Sequence, residues 1–284
     1  MEIKCVRRED SDFPALLKKI AQPPKQLFYI GNIELTETLC VSIVGSRKCT
    51  EYGRWAASRL AERLGEHGVT VVSGMAMGID SAAHRGAIKG NGKTIAVLGS
   101  GADICFPSSN KRLKQIIEED GLVITEYPPG TRPSRYTFPQ RNRIISGLSV
   151  ATVIAEAGLN SGALITAGLA DEQGRALYAI PGNINSIYSI GGNALIRDGV
   201  QPLVVLDDIL KDLDIKRHEG VDEKWSLGED EKKILSVIEK GGEVTYDHIS
   251  ERAGLPAGDV SGIVTVLEMK GLVYTALGKI FVAK

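Results

Sequence analysis

The chain has 284 residues, a formal net charge of −1, 43% apolar and 24% charged residues, and 32 glycines. That length suits one large α/β domain with a small appendage, the composition excludes a disordered chain, and the balanced charge excludes coating of nucleic acid by bulk charge. Any DNA or RNA site must therefore be a local patch. Cys5, Cys40, Cys49 and Cys105 are scattered without C-x-x-C or Cys/His ligand spacing, and the start Met-Glu-Ile-Lys-Cys carries no apolar signal run. The expectation is a reduced, cytoplasmic protein with no metal, no cofactor and no membrane span.

Residues 1–35 hold one short amphipathic piece from Phe13 to Ile20, then Pro23-Pro24 and the run Leu27 to Gly31. They read as a lead-in segment packed on the main domain, too poor in apolar residues for a core of its own. From Leu39 short β-branched runs alternate with segments of helical period. Strands are predicted at Leu39 to Val44, Thr70 to Val72, Thr94 to Leu98, Leu122 to Thr125, Ala151 to Ile154, Ala176 to Ile180 and Leu203 to Leu206. Between the first two, Ala56, Leu60 and Leu64 fall at i, i+4 and i+8, which predicts a helix over Tyr52 to Gly65. Such alternation implies an α/β, Rossmann-like domain over residues 36–213, a parallel sheet covered on both faces. Its working loops lie beyond the carboxyl ends of the strands, where strand order reverses.

Those loops carry the unusual residues: Gly45-Ser46-Arg47, Ser73-Gly74 through Gly78, Gly99-Ser100-Gly101, Glu156-Ala-Gly and Pro181-Gly182. Glycine admits close approach of a ligand to the backbone, and helix N-termini favour anions. One such loop is only a tight turn, but several along one edge predict a phosphate-binding rim.

The richest stretch runs from Glu126 to Gly147. It holds Arg132, Arg135, Arg141 and Arg143 beside Tyr127, Tyr136 and Phe138, and no Asp or Glu occurs from Tyr127 to Ala155. Guanidinium groups suit phosphates and aromatic faces suit unstacked bases, so the pattern points to single-stranded nucleic acid. The plainer alternative is a solvated loop whose arginines pair with carboxylates elsewhere and whose Phe138 plugs the core.

Residues 214–228 read as a linker of mixed charge. Beyond it, residues 229–284 predict three helices, the second capped by Thr245 and the third opened by Pro256, followed by a hairpin turning at Leu277-Gly278. That is a winged helix. Its third helix offers Asp259, Glu268 and Lys270 and no Arg, and the module has seven Lys/Arg against nine Asp/Glu. It is expected to bind protein, or DNA only weakly.

Catalytic signatures are missing. There is no G-x-x-x-x-G-K-[ST] and no G-x-G-x-x-G, so neither ATP nor a dinucleotide is expected. Asp80 and His84 share a helix face at i, i+4 without a third ligand or a nucleophile, and they read as members of an internal hydrogen-bond network. Glu126 and Glu156, at two strand ends, read as partners that orient arginines or cap loops.

Six ordered stretches then carry a resemblance: Val44-Gly-Ser-Arg with Tyr52-Gly53, Ser73-Gly-Met-Ala-Met-Gly-Ile-Asp-Ser-Ala-Ala-His, Phe138-Pro-Gln-Arg-Asn-Arg-Ile-Ile-Ser-Gly-Leu, Glu156-Ala with Ser161-Gly-Ala-Leu-Ile-Thr-Ala, Ile180-Pro-Gly-Asn, and Gly191-Gly-Asn-Ala-Leu-Ile. The chain resembles the DprA/Smf DNA-processing family over nearly its full length. The resemblance implies a non-enzymatic, sequence-independent single-stranded DNA-binding protein that protects incoming DNA during natural transformation and loads the RecA recombinase, commonly as a homodimer. It places DNA contacts on Arg47, Ser73, Gly74, Arg135, Phe138, Arg141, Asn142, Arg143, Ser161, Gly162 and Thr166, and a dimer contact on Leu195, Ile196 and Leu203. Many members carry a SAM-like domain ahead of the Rossmann domain, and too few residues precede Phe13 to supply one. A nucleotide or sugar-phosphate enzyme or sensor is the competing expectation from the same rim.

Overall fold

The N-terminal segment, expected only to pack on the main domain, supplies two strands of its sheet, β1 (Lys4–Arg7) and β2 (Gln26–Gly31). The computed structural model describes residues 2–215, 227–276 and 278–282, and of Met269 the backbone alone. Most of the predicted linker and Leu277 lie outside the described residues. The chain separates into two compact units, Met1–His218 and Glu219–Lys284.

In the first unit β1 and β2 are followed by β3 (Cys40–Gly45), α1 (Glu51–Glu66), β4 (Thr70–Ser73), α2 (Ile79–Lys89), β5 (Thr94–Val97), α3 (Lys111–Asp120), β6 (Leu122–Thr125), α4 (Thr137–Gly147) and β7 (Ala151–Glu156). Then come α5 (Gly162–Glu172), β8 (Ala176–Ala179), α6 (Ile190–Arg197), β9 (Gln201–Pro202) and α7 (Asp208–Asp212). The strands form one nine-stranded sheet in the order β1-β2-β6-β5-β4-β3-β7-β8-β9. The β1–β2 and β2–β6 pairings are antiparallel, and the remaining pairings are parallel. From β3 the chain builds outward to β4, β5 and β6, then returns and builds the other way through β7, β8 and β9. Strand order therefore reverses between β3 and β7.

The central strands are buried on both faces, and their alternation sorts side chains between two cores. Cys40 and Val44 join Phe13, Leu17, Ile144 and Leu148 on one face; Val41 and Ile43 join Ala56, Leu60, Leu64 and Ile209 on the other. Helix α1 forms because Thr50 caps it, accepting from the Gly53 N–H at 3.1 Å, and because its apolar stripe meets the second core. Leu60 and Leu64 are fully buried, worth roughly 1.5–3 kcal/mol each.

The amphipathic piece near Phe13 holds a 3-10 turn at Leu17–Lys19. One expectation needs correction. The predicted strand at Leu203 to Leu206 is instead Gln201–Pro202. Leu203 still donates to the Ala179 carbonyl at 2.9 Å, but Val204 and Val205 then turn into solvent ahead of α7.

The second unit comprises α8 (Glu229–Gly241), β10 (Glu243–Val244), α9 (Tyr246–Ala253), α10 (Ala257–Met269), β11 (Val273–Ala276) and β12 (Lys279–Val282). Thr245 caps α9, accepting from the His248 N–H at 3.3 Å, and Pro256 precedes α10 as its cap. Strand β10, not foreseen, adds to the predicted hairpin in a β10-β12-β11 sheet. Ile234, Ile249, Val264, Leu267 and Ile280 share its core. Among the described residues no helix is long and apolar enough to cross a membrane.

Candidate nucleic-acid interface

A cleft of about 840 Å³ opens at the reversal point between β3 and β7. One wall is the turn after β3, Gly45 to Lys48, with Arg135 from the loop before α4 and Phe138 and Asn142 from α4 itself; the facing wall runs from Gly158 through the first turn of α5. Ile187 and Tyr188, from the loop after β8, and Ile190, the first residue of α6, close one side.

The Gly-Ser-Arg turn is held from beneath. Ser46 donates its N–H to the Glu156 carbonyl at 2.7 Å, and the Glu156 carboxylate accepts from the Thr50 N–H and hydroxyl, both at 2.7 Å. Glu156 thus ties the turn to the cap of α1. Gly78 has φ +78°, and a Cβ there would stand 2.4 Å from the Ser46 carbonyl oxygen and 2.6 Å from that of Arg47. Gly78→Ala is therefore expected to strain this backbone and push the turn outward, lowering stability by about 1–3 kcal/mol and weakening ligand binding with it. Thermal unfolding and a binding titration on the same variant check both effects.

Arg47 is exposed, and its guanidinium lies 4.7 Å from the centroid of the Phe138 ring. It makes no ion pair among the described residues, so its charge is available to a ligand. Arg135 repeats the arrangement, 4.9 Å over the ring of Tyr136, which is 65% exposed. Each ring supports a guanidinium whose other face is open to phosphate or base. Across the cleft, Ser161 caps α5 by accepting from the Ala163 N–H at 3.3 Å, and the exposed Gly162 follows. The helix N-terminus turns its partial positive charge toward the cleft.

Other predicted contacts point inward. Arg141 is buried at the floor, donating to the carbonyl oxygens of Gly74, at 2.7 Å, and Val97. Burial pushes its pKa down to about 10, with the nearby Asp80 pulling the other way. A Cβ on Gly74 would sit 2.5 Å from that guanidinium, so glycine here makes room for an internal arginine. Ser73 is fully buried and donates to the Ile43 carbonyl at 2.7 Å, and Thr166 is 1% exposed. Arg141, Ser73 and Thr166 shape the floor and its support without offering a surface.

Arg143 is tied by its two terminal nitrogens to Glu126, at 2.8 and 2.6 Å, and by Nε to the Gln22 carbonyl at 3.0 Å. It clamps α4 to the end of β6 and to the N-terminal segment. Arg143→Ala should cost stability, about 2 kcal/mol, because Glu126 is left largely buried without its cation. Its effect on DNA affinity should be smaller than that of Arg47→Ala, and denaturant unfolding beside a binding titration separates the two. Asn142 lies between these cases, half-buried, with its amide 3.4 Å from the Gly162 carbonyl across the cleft.

Of the expected dimer contact, Leu203 is 2% exposed, while Leu195 and Ile196 are partly buried against the first core; Val204 and Val205, next along the chain from Leu203, are exposed. Asp80 and His84 are buried and form no ligand set, and among the described residues no cluster of His, Cys, Asp and Glu could hold a metal.

Sequence reasoning missed the apolar side of the cleft. Leu159, Ile165 and Ile187 are 60%, 49% and 73% exposed there. The available signal was the apolar residues beside the strand ends, Leu159 after Gly158 and Ile187 in the loop after β8, with Ile165 in the first turn of α5.

Fold and cleft together define a Rossmann-like α/β protein with a cationic ligand cleft at its switch point and an attached winged helix. Residues 4–214 match the family described as DNA recombination-mediator protein A, and residues 224–279 match the DprA winged helix domain. The chain belongs to the DNA recombination-mediator protein A family. It is similar to the DNA processing protein DprA of Streptococcus pneumoniae, 42% identical over 72% of this chain and 72% of that protein. It is also similar to protein Smf of Escherichia coli, 36% identical over 95% of this chain and 75% of that protein. Among solved structures, DNA processing protein A of Helicobacter pylori, described for its single-stranded DNA binding mode, superposes with a TM-score of 0.70 at 29% identity, over 76% of this chain and 98% of that one.

Proposed function

We propose that this protein binds single-stranded DNA without sequence preference, protects it and delivers it to the RecA recombinase during natural transformation or recombination, as a cytoplasmic homodimer without a catalytic step. The observation that carries the reading is Arg47 stacked on Phe138, facing the N-terminus of α5 across the cleft. Cations and a helix N-terminus attract phosphates, and aromatic and apolar walls accept base faces regardless of sequence. A duplex hides those faces, so single strands are favoured. The RecA step and the dimer rest on the family resemblance; Val204 and Val205 at the β9 edge give a second copy an apolar surface.

A cleft of about 840 Å³ also falls in the size range of small-ligand sites, which keeps a nucleotide or sugar phosphate as the second reading. Competition separates them. Labelled oligo-dT should be displaced by unlabelled oligo-dT and poorly by duplex or mononucleotide. Thermal stabilisation by a mononucleotide, with oligo-dT inert, would establish the second reading instead.

A further inference from the structure

We propose that Phe106 is the outer stacking surface of the cleft, taking an unstacked base of a single strand whose phosphates pass Arg47. This rests on the single-strand reading. The residue that composition singles out for stacking, Phe138, has little ring left to offer. The Arg47 guanidinium lies over it at 4.7 Å, and the Phe106 ring packs against it at 5.7 Å between centroids with a 35° tilt. Gly99 backs onto its edge so closely that a Cβ there would stand 2.9 Å from the ring. Phe138 is half-buried; Phe106 is 47% exposed.

The arrangement is therefore a contiguous set of guanidinium, inner ring and outer ring, with Phe106 presenting the open π surface. Phe106 stands in the loop between β5 and α3, a few residues ahead of the exposed Lys111 and Arg112 that open α3, neither in an ion pair among the described residues. A strand that leaves the cleft over Phe106 thus meets further cations for its next phosphates. Stacking on a ring discriminates little between bases, which suits a sequence-independent site.

The test compares Phe106→Leu and Phe106→Trp with the parent in fluorescence anisotropy of labelled oligo-dT over a salt series. Leucine keeps an apolar side chain against Phe138 but removes the π face. It should weaken binding roughly five- to a hundredfold. The slope of log K against log salt should stay the same, since the ring neutralises no phosphate. Tryptophan should restore affinity, and oligonucleotides carrying 5-iodouracil should photocrosslink to Phe106. Phe106→Leu binding within twofold of the parent, a loss that tryptophan does not restore, or a crosslink confined to Phe138 would overturn the assignment. A parent protein that binds no oligo-dT would overturn the single-strand reading itself, and this inference with it.

Discussion

Arg141→Met is expected to lower the unfolding temperature of the larger unit by roughly 10 °C, a loss of scaffold before any loss of DNA contact. The guanidinium is 4% exposed and donates to two backbone carbonyls, on Gly74 and Val97. Each hydrogen bond from a charged donor is worth about 1.5–3 kcal/mol, and methionine cannot replace either. Relief of the buried cation returns part of this, since burial already pushes its pKa down to about 10. The balance is a loss of roughly 2–4 kcal/mol, at about 2–4 °C per kcal/mol for a unit of this size. Asp80 is also buried, and Arg141 is the leading charge that holds its pKa down against desolvation. Adding Asp80→Asn should therefore recover part of the loss. Circular dichroism melts of the two single variants and the double variant read this directly; unchanged melting in Arg141→Met would show that the buried contacts contribute nothing.

The second large effect is acid sensitivity through His84. Its ring is fully buried, with Nδ1 2.7 Å from the Thr94 hydroxyl, which itself donates to the Val71 carbonyl at 2.7 Å. That hydroxyl must accept from His84, so Nδ1 carries the proton and a second proton would go to Nε2, which has no partner among the described protein atoms. Burial first, then the charges of Arg141 and Arg85, push the pKa down to about 3. Between that value and the ordinary 6.5 the unfolded chain binds a proton that the folded chain refuses. Stability is thus present in full above the unfolded value and falls with pH, at about 1.4 kcal/mol per unit, until it levels near the folded value.

Asp80 acts in the opposite sense. Burial raises its pKa, so the folded chain retains a proton in a range above the ordinary carboxyl value, and its contribution declines as pH rises there. It subtracts from the His84 slope wherever that proton is retained, and comparing His84→Gln with the parent, both of which keep Asp80, isolates the His84 part. In urea unfolding at pH 7 and pH 5, His84→Gln should lose about 2 kcal/mol less stability than the parent over that interval. Equal losses in the two proteins would exclude His84 as the source.

Six of the seven strands between Leu39 and Leu206 were legible because β-branched runs ended by Gly or Ser are local signals. Gln201–Pro202 was not, because the apolar run that follows it belongs to a turn whose Val204 and Val205 face water. Strands β1 and β2 escaped because they join the sheet through antiparallel pairings, β1 on β2 and β2 on the distant β6, outside the alternating pattern of strand and helix that revealed the others. The winged helix was legible since its caps and apolar periods are all local.

At the cleft, composition showed where charge is concentrated but not which way each arginine points. Arg141 was readable in principle: with Ile144, Ile145 and Leu148 it occupies i, i+3, i+4 and i+7 of one helix, the face that is buried. Arg143 was not, because its partner Glu126 and the Gln22 carbonyl come from distant parts of the chain. Charge that survives at the surface, on Arg47 and Arg135, is the part that function can use.

The most direct measurement is the salt dependence of oligo-dT binding by the parent, Arg47→Ala and Arg143→Ala, with unfolding curves of all three. The account predicts a steep fall of affinity with salt for the parent. It predicts a loss of about 1–3 kcal/mol and a shallower slope for Arg47→Ala at unchanged stability, and lost stability with a nearly parental slope for Arg143→Ala. Parental affinity and slope in Arg47→Ala would contradict it, and would move the strand out of the cleft between β3 and β7.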